Sequence, residues 1–154
     1  MATSAIRNSE SQIRRAVKTD FRHIKSLADE HRHELGFVLG PALAAGITEG
    51  RIYVGTALSS STILGFVHFR HRRDLVTKIY QICVQRQHRQ VGIGRSLLDA
   101  VKDSAIELGQ LCILLKCPEG LPANIFYQQV GFALLGIMTG KRRRLFTWKL
   151  SLPG

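Results

Sequence analysis

The sequence predicts a mixed α/β (α+β) fold, in which a mostly antiparallel central sheet of roughly six to seven strands is flanked by about four helices. One strand pattern precedes two early helical patterns, three strand patterns then follow one another, and two more close the chain. With 154 residues, 45% hydrophobic and 21% charged, the chain has the size and composition of one globular domain. We therefore expect a single domain over residues 1–154, with residues 1–11 as a flexible N-terminal segment.

The first half of the chain predicts one strand, two helices and three further strands. The segment SQIRRAV alternates as a strand does, and TDFRHIKSLADEHRHEL carries apolar residues at helical spacing, with Thr19 or Asp20 as its N-cap. Pro41 fits the first turn of a short helix through ALAAGITEG. The segments RIYVGTAL, TILGFVHFR and LVTKIYQICV then predict three antiparallel strands, joined by a serine-rich turn and by the charged hairpin turn HRRD.

The second half predicts a helix, a strand, a helix and two closing strands. After RQVGIG, apolar residues fall on one face of a helix that ends at Gly109; they are Leu97, Leu98, Val101, Ala105 and Leu108. The segment LCILLKC predicts a short buried strand. Pro122 opens the helix ANIFYQQV, which ends at Gly131, and FALLGIM and RLFTWKL close the chain as strands.

The charge of the chain indicates an anionic partner. The formal net charge is +11 at pH 7, and basic residues cluster in HFRHRR (68–73), QRQHRQ (85–90) and GKRRR (140–144). Nucleic acid, a phosphorylated cofactor and an acidic substrate would all be attracted. No apolar run approaches the roughly 18 residues that span a membrane, and the first residues lack the apolar core of a signal peptide. We therefore expect a cytoplasmic protein with no membrane partner.

The cysteines and histidines do not have the spacing of a metal site. Cys83, Cys112 and Cys117 include no CxxC pair, which argues against a disulfide framework and against a thiolate zinc site. His31 and His33 are two positions apart on a predicted helix, so they do not share the face that an i, i+4 ligand pair shares. We expect reduced, half-buried cysteines on strands and no bound metal.

The stretch RQVGIGRSLL has the properties of an anion-binding turn. The start of a helix exposes N–H groups without intrahelical partners, and Gly92 and Gly94 let an anion come close to them. A pyrophosphate fits such a turn, although glycine pairs also occur in ordinary strand-to-helix turns. A dinucleotide-binding fingerprint would need glycine where Leu97 stands, and a P-loop would need GK[ST] where the sequence has GRS.

Two motifs in order resemble one known family. RxxGxG, at Arg89 to Gly94, is followed by a predicted helix and strand and then by FYxxxGF, at Phe126 to Phe132. This arrangement resembles the Gcn5-related N-acetyltransferase (GNAT) family, from IRRAV to the final WKL, and most sharply between Ile79 and Phe132.

The resemblance implies acetyl-CoA as cosubstrate and a set of residues that bind it. The pantetheine arm would pair, like an extra strand, with Ile82, Cys83 and Val84. The pyrophosphate would be held by the turn and the start of the next helix, at Arg89, Gln90, Val91, Gly92, Ile93, Gly94, Arg95 and Ser96.

By the same resemblance, Tyr127 is the catalytic residue that protonates the departing CoA thiolate. The alternative is that Tyr127 is a half-buried aromatic residue on an amphipathic helix and has a structural role only. The family often carries an asparagine seven residues before this tyrosine, but Gly120 stands there. Asn124 is therefore a candidate CoA contact, or a polar residue on a solvated helix face or near a helix start.

The sequence identifies no catalytic base. Some relatives place a glutamate on the strand before the pyrophosphate turn, whereas residues 75–88 contain neither Asp nor Glu. Tyr80, His68 and Glu119 are candidates, each with a structural role as its alternative. The run from Lys141 to Arg144 is either a solvated hairpin or a feature that selects an acidic or phosphorylated substrate.

Three functions follow as hypotheses. The first is an N-acetyltransferase that moves acetyl from acetyl-CoA to a primary amine of a small molecule or protein, by direct attack in a ternary complex. The second acts on an amine carried on nucleic acid, such as aminoacyl-tRNA, and is not favoured. The third is a non-catalytic acyl-CoA-binding module. No segment identifies an interface between copies, so a homodimer stays open.

Overall fold

The computed structural model describes residues 11–154. The flexible segment expected over residues 1–11 lies outside the described residues, except for Ser11, which is the first residue of a strand.

Seven strands and five α-helices make up the described chain. The strands are β1 (Ser11–Arg15), β2 (Ile52–Ala57), β3 (Ile63–His71), β4 (Val76–Val84), β5 (Cys112–Pro118), β6 (Ala133–Thr139) and β7 (Arg144–Ser151). The helices are α1 (Phe21–Glu30), α2 (Arg32–Leu35), α3 (Gly40–Thr48), α4 (Ile93–Glu107) and α5 (Ala123–Gln129), and short 3₁₀ turns cover Lys18–Asp20 and Arg86–His88. Every predicted strand and helix is present, and the first predicted helix is divided at His31 into α1 and α2.

The strands form one mixed sheet in the order β1-β2-β3-β4-β5-β7-β6. The pairs β1–β2, β2–β3, β5–β7 and β6–β7 are antiparallel, and β4–β5 is parallel. A parallel pair needs a crossover rather than a hairpin, and α4 lies in the segment that joins β4 to β5. The predicted fold class, a mostly antiparallel sheet with flanking helices, is confirmed.

Two compact units divide the described chain. The first consists of residues 11–68 with Gln81–Val101. Its core contains the apolar face predicted for the first helix, with Ile24, Leu27 and Ala28 all buried. Leu43 of α3 and Phe66 of β3 are fully buried in the same core. The alternation of apolar and polar residues in α1 therefore places one helix face in this core.

The second unit consists of Phe69–Tyr80 with Lys102–Gly154. Its β5 strand is buried at Cys112, Ile113, Leu115 and Cys117. A polar contact lies within it: the two ring nitrogens of His71 are 2.7 Å from Thr77 Oγ1 and 2.8 Å from Ser104 Oγ. Because Thr77 is fully buried, its hydroxyl needs such a partner.

Two local predictions need correction in part. Asp20 is the N-cap residue of α1, as one of the two predicted alternatives has it, but its side chain makes no capping hydrogen bond. Its carboxylate instead accepts a hydrogen bond from the Val17 amide at 2.7 Å and from Arg14 Nη1 at 2.7 Å. Leu108 was assigned to the apolar face of α4, but it follows the end of the helix and is 62% exposed.

The cysteines agree with the sequence prediction in two respects and differ in one. Cys83, Cys112 and Cys117 are free and located on strands, as predicted, but they are buried rather than half-buried. Within residues 11–154, no helix is long and apolar enough to cross a membrane.

Candidate active site

The turn between β4 and α4 has the main-chain conformation of an anion site. Gln90 and Gly92 have left-handed φ angles of 64° and 96°. The carbonyl of Gly92 accepts a hydrogen bond from the Ser96 amide at 3.0 Å, so Gly92 stands directly before the first turn of α4. The next amides, from Ile93 to Arg95, have no intrahelical acceptor and carry the partial positive charge of the helix start. Residues 90–95 can therefore donate several main-chain hydrogen bonds to a phosphate.

Glycines of the sheet allow α4 to begin close to it. Gly55 and Gly65 are paired across β2 and β3. A Cβ at Gly55 would lie 3.1 Å from Ile93 Cγ2, and one at Gly65 would lie 3.3 Å from Leu97 Cδ1. Both helix residues are buried. The first turn of α4 thus packs on the sheet at two residues that have no side chain of their own.

Arg89 does not have a free guanidinium in the described structure. Its Nη2 and Nη1 donate to the two carboxylate oxygens of Glu34 at 2.9 and 3.2 Å, and its Nε donates to the Val84 carbonyl at 3.0 Å. Hydrogen bonding with Arg89 holds the pKa of Glu34 below its ordinary value. Glu34 was not identified from the sequence, because nothing near it indicates a partner 55 positions away.

The β4 strand leaves part of one edge without a neighbouring strand. Its parallel pairing with β5 covers only Val76–Lys78 against Cys112–Leu114. In the described structure, residues 79–84 have no β5 partner, so their N–H and C=O groups on this edge are not used in a ladder. Ile82 and Val84 are half-buried, and Cys83 is buried. An extended ligand could pair with this edge as a strand would.

The Cys83 thiol is unsuited to nucleophilic chemistry. Burial raises the pKa of the Cys83 thiol to about 12, so the thiol is protonated at neutral pH. Because the thiolate is the nucleophilic form, an acetyl-cysteine relay at Cys83 is disfavoured.

The FYxxxGF motif forms a packed turn at the end of α5. Tyr127 is 5% exposed, and its ring centroid lies 5.6 Å from that of Phe126 and 5.8 Å from that of Phe132. The Tyr127 carbonyl accepts a hydrogen bond from the Phe132 amide at 3.0 Å. Gly131, with φ of 105°, reverses the chain between them. The motif therefore fixes the position of the Tyr127 ring by aromatic packing.

Asn124 uses its side-chain amide in three hydrogen bonds within the protein. Its Nδ2 donates to the carbonyls of Pro118, at 2.9 Å, and Leu121, at 3.1 Å. Its Oδ1 accepts from Trp148 Nε1 at 2.9 Å. These bonds join the start of α5 to the end of β5 and to β7. Asn124 thus lies near a helix start, as one of its sequence alternatives states, but its bonds to β5 and β7 were not predicted.

The three candidate bases have different surroundings. Tyr80 is 41% exposed, and Lys78 Nζ lies 5.7 Å from its ring centroid. His68 is buried, and this burial lowers the pKa of its imidazole. Glu119 forms an ion pair with Arg144. Among the described residues, no group of three or more His, Cys, Asp or Glu side chains could hold a metal ion.

The chain matches a family model over most of its length. Residues 11–132 match the model described as the acetyltransferase (GNAT) family. Because this match covers more than half of the chain, the protein belongs to the GNAT family of acetyltransferases. It is an acyltransferase, and acetyl-CoA is its cosubstrate. The family assignment and the cosubstrate predicted from the two motifs are confirmed.

Solved structures share the fold at low sequence identity. Ard1 from Thermoplasma volcanium superposes with a TM-score of 0.85 at 17% identity, over 94% of this chain and 99% of the other. The ribosomal-protein-S18-alanine N-acetyltransferase from Escherichia coli gives a TM-score of 0.76 at 19% identity, over 94% and 95%. A third structure is yncA, a putative acetyltransferase from Salmonella typhimurium, solved with its cofactor acetyl-CoA. It superposes with a TM-score of 0.76 at 20% identity, over 94% of this chain and 95% of the other. No curated protein sequence matches the chain.

Proposed function

We propose that the protein is an N-acetyltransferase that transfers acetyl from acetyl-CoA to a primary amine of a small molecule or protein. The observation that carries this proposal is the turn before α4, where Gln90 and Gly92 adopt left-handed conformations next to a helix start. A pyrophosphate bound there would accept main-chain hydrogen bonds from residues 90–95. The unpaired edge of β4 at Ile82, Cys83 and Val84 would hold the pantetheine arm.

The acyl transfer proceeds by direct attack of the amine in a ternary complex. The amine nitrogen forms a bond to the thioester carbonyl carbon, the C–S bond breaks with its electron pair left on sulfur, and the nitrogen loses a proton to solvent water. Tyr127 donates a proton to the departing sulfur, whose ordinary pKa is about 8.5. The protonated state of Cys83 supports direct transfer over a relay through an acyl-enzyme.

Three lysines on one face of β4, β5 and β7 favour an acceptor that carries negative charge. Lys78 is paired with Leu114, which is paired with Lys149, and Lys116 follows two positions along β5. Directly opposite residues and i, i+2 residues share a face, so the three lysines lie on the same side. Burial and then the positive charges of Lys116 and Arg72 lower the pKa of Lys78. In the described chain, none of the three lysines forms an ion pair.

The same basic face favours, as a second candidate, an amine carried on nucleic acid such as aminoacyl-tRNA. Binding of such a polyanion releases counterions and weakens steeply as salt rises. Binding of a small acidic acceptor at one or two lysines would depend on salt much less. The substitution Lys116→Glu should weaken the binding of either kind of acceptor. The two kinds are distinguished by how steeply the acceptor affinity of the wild type falls as the salt concentration rises.

The first experiment is a calorimetric titration of the protein with acetyl-CoA and with CoA, followed by an acetyl-transfer assay on a panel of amines. We expect saturable binding of both nucleotides and transfer to at least one primary amine. Binding without transfer to any amine would favour the non-catalytic acyl-CoA-binding module. Absence of binding at both low and moderate salt would refute the proposed cofactor site.

Three features predicted from the sequence stay proposals. They are a single domain over residues 1–154, a cytoplasmic location and a homodimer as an open alternative. Light scattering of the purified protein at several concentrations tests the oligomeric state.

A further inference from the structure

The Arg89 side chain forms hydrogen bonds with two elements of the first unit, the end of β4 and the helix α2. Its guanidinium has five N–H groups, of which three are bonded: one to the Val84 carbonyl and two to Glu34. Val84 is the last residue of β4, and Glu34 lies on α2. Arg89 therefore connects the end of a strand to a helix that is distant in sequence.

The Glu34–Arg89 pair is sheltered from solvent on the glutamate side. The Glu34 side chain is 17% exposed and that of Arg89 is 35% exposed. Two parallel N–H···O bonds between a guanidinium and a carboxylate fix both groups in one geometry. Because the carboxylate cancels the guanidinium charge at close range, Arg89 contributes little net attraction to an approaching anion.

The main chain directly after Arg89 is strained. Gln90 has a φ of 64°, a conformation that residues with a Cβ rarely adopt, and Gly92 has a φ of 96°. Such a conformation persists only where the surrounding structure holds it. On the side of α4, the Ser96 amide bonds to the Gly92 carbonyl. On the side of β4, the side-chain hydrogen bonds of Arg89 to Val84 and Glu34 add to the main-chain bond from the Arg89 amide to the Arg86 carbonyl in holding the start of the turn.

We infer that the Glu34–Arg89 pair positions the pyrophosphate turn: Glu34 holds Arg89, and Arg89 holds residues 90–94 in the anion-binding conformation without binding the anion itself. Glu34 is thus a positioning residue for acetyl-CoA, located on α2. This inference rests on the proposed cofactor site. It adds Glu34 to the residues on which acetyl-CoA binding depends, although Glu34 and the ligand are both negatively charged.

If Arg89 bound the pyrophosphate directly, neutralising Glu34 would change acetyl-CoA affinity in the opposite direction from that expected of a positioning role. If Arg89 bound the anion, Glu34 would compete with the anion for the guanidinium, and neutralising Glu34 would strengthen acetyl-CoA binding. If Glu34 positions the turn, neutralising it weakens binding, although a negative charge has been removed near an anionic ligand. The sign of the change therefore separates the two roles.

The test is calorimetric titration of Glu34→Gln with acetyl-CoA and with CoA. We expect a loss of affinity of about 5- to 20-fold for both ligands, which is a typical coupling between a positioning contact and a binding site. In steady-state kinetics the KM for acetyl-CoA should rise while kcat at saturation is retained. Unchanged or increased affinity would overturn the inference.

Two further variants control for charge and for folding. Glu30→Gln removes the same charge from an exposed residue at the end of α1 and should not weaken binding. Arg89→Lys keeps the positive charge but cannot form the same bidentate and carbonyl contacts, so it should weaken binding as Glu34→Gln does. Retained affinity in Arg89→Lys would contradict the positioning role. Thermal unfolding of each variant confirms that it is folded at the assay temperature.

A measurement without ligand separates this inference from the proposed function. Amide hydrogen exchange over residues 89–96 should be faster in Glu34→Gln than in the wild type, because the turn is held less firmly. If the wild type bound no acetyl-CoA but exchange still accelerated, the proposed function would fail and the positioning contact would stand. Equal exchange in both proteins would overturn the positioning contact itself.

Discussion

The turn before α4 and the helix α5 carry the two sequence motifs of the family, but they are held in different ways. In the turn, the important property is the main chain, with left-handed Gln90 and Gly92 and unpaired helix-start amides. In α5, side chains are important: the Tyr127 ring packs against Phe132, and the Asn124 amide bonds to Trp148. Substitutions in the turn should therefore change ligand affinity, whereas substitutions in α5 should separate turnover from stability.

The largest expected effect is that of Gly92→Glu in the turn. A residue with a Cβ is strained at φ of 96°, and a carboxylate there repels the anionic ligand. Acetyl-CoA affinity should fall by about 1,000-fold, or about 4 kcal/mol, in calorimetric titration. Gly109→Glu is a matched control, because Gly109 has φ of 76° at the other end of α4. It should reduce stability without weakening acetyl-CoA binding, and equal losses of affinity would refute the pyrophosphate turn.

Tyr127→Phe should have the next largest effect and should change turnover alone. Phenylalanine keeps the aromatic contacts with Phe126 and Phe132 but lacks the hydroxyl proton. We expect kcat to fall by about 100-fold with unchanged acetyl-CoA affinity. Initial rates across the pH range, together with calorimetry, measure both quantities. Tyr53→Phe, which removes a hydroxyl from β2, should keep full turnover; full turnover in Tyr127→Phe as well would remove the proposed acid.

Asn124→Ala should reduce stability rather than binding. The substitution leaves Trp148 Nε1 and the Pro118 carbonyl without their partner. Loss of a partly buried hydrogen-bonded group costs about 2 kcal/mol in the free energy of unfolding. Denaturant unfolding measures this cost, with Gln129→Ala, an exposed position on the same helix, as a nearly neutral control. Reduced acetyl-CoA affinity at unchanged stability would instead identify Asn124 as a cofactor contact.

The smallest expected effect is the pH dependence of the Glu34 contact. Bonding with Arg89 lowers the pKa of Glu34 in the folded protein, so the unfolded chain takes up a proton first as the pH falls. The contact therefore contributes fully above the ordinary glutamate pKa of about 4.3, and its contribution is lost as the pH falls through the lowered folded value. The difference in unfolding free energy between wild type and Glu34→Gln, under about 1 kcal/mol, should shrink in acid. A difference that grows in acid would contradict this sign.

The order and type of the elements could be predicted from the sequence because their signals are local. Alternation, helical spacing and glycine at helix ends gave all seven strands and the helices, and Gly109 and Gly131 have the left-handed conformations expected of helix ends. The exposed Leu108 shows the limit of such a pattern, since the periodic residues continue past the point where the helix ends.

The partners of polar side chains could not be predicted in the same way. Asp20 was expected to cap α1, but its carboxylate bonds to Val17 and Arg14. Several donors near Asp20 in the sequence could bond to its carboxylate, and only the folded chain decides which of them come within hydrogen-bonding distance. The partners of motif residues are the hardest to predict, because a motif specifies a residue type and not the contact that the residue makes.

The sequence by itself determined the element order, the glycine-rich turn before a helix and the family to which these belong, because each depends on main-chain preferences over a few residues. The tertiary structure alone decided that Arg89 bonds to Glu34 across 55 positions and that Asn124 bonds to Trp148 across 24. Such contacts depend on how strands and helices are brought together, and hydrogen bonds require distances near 3 Å that no sequence spacing specifies.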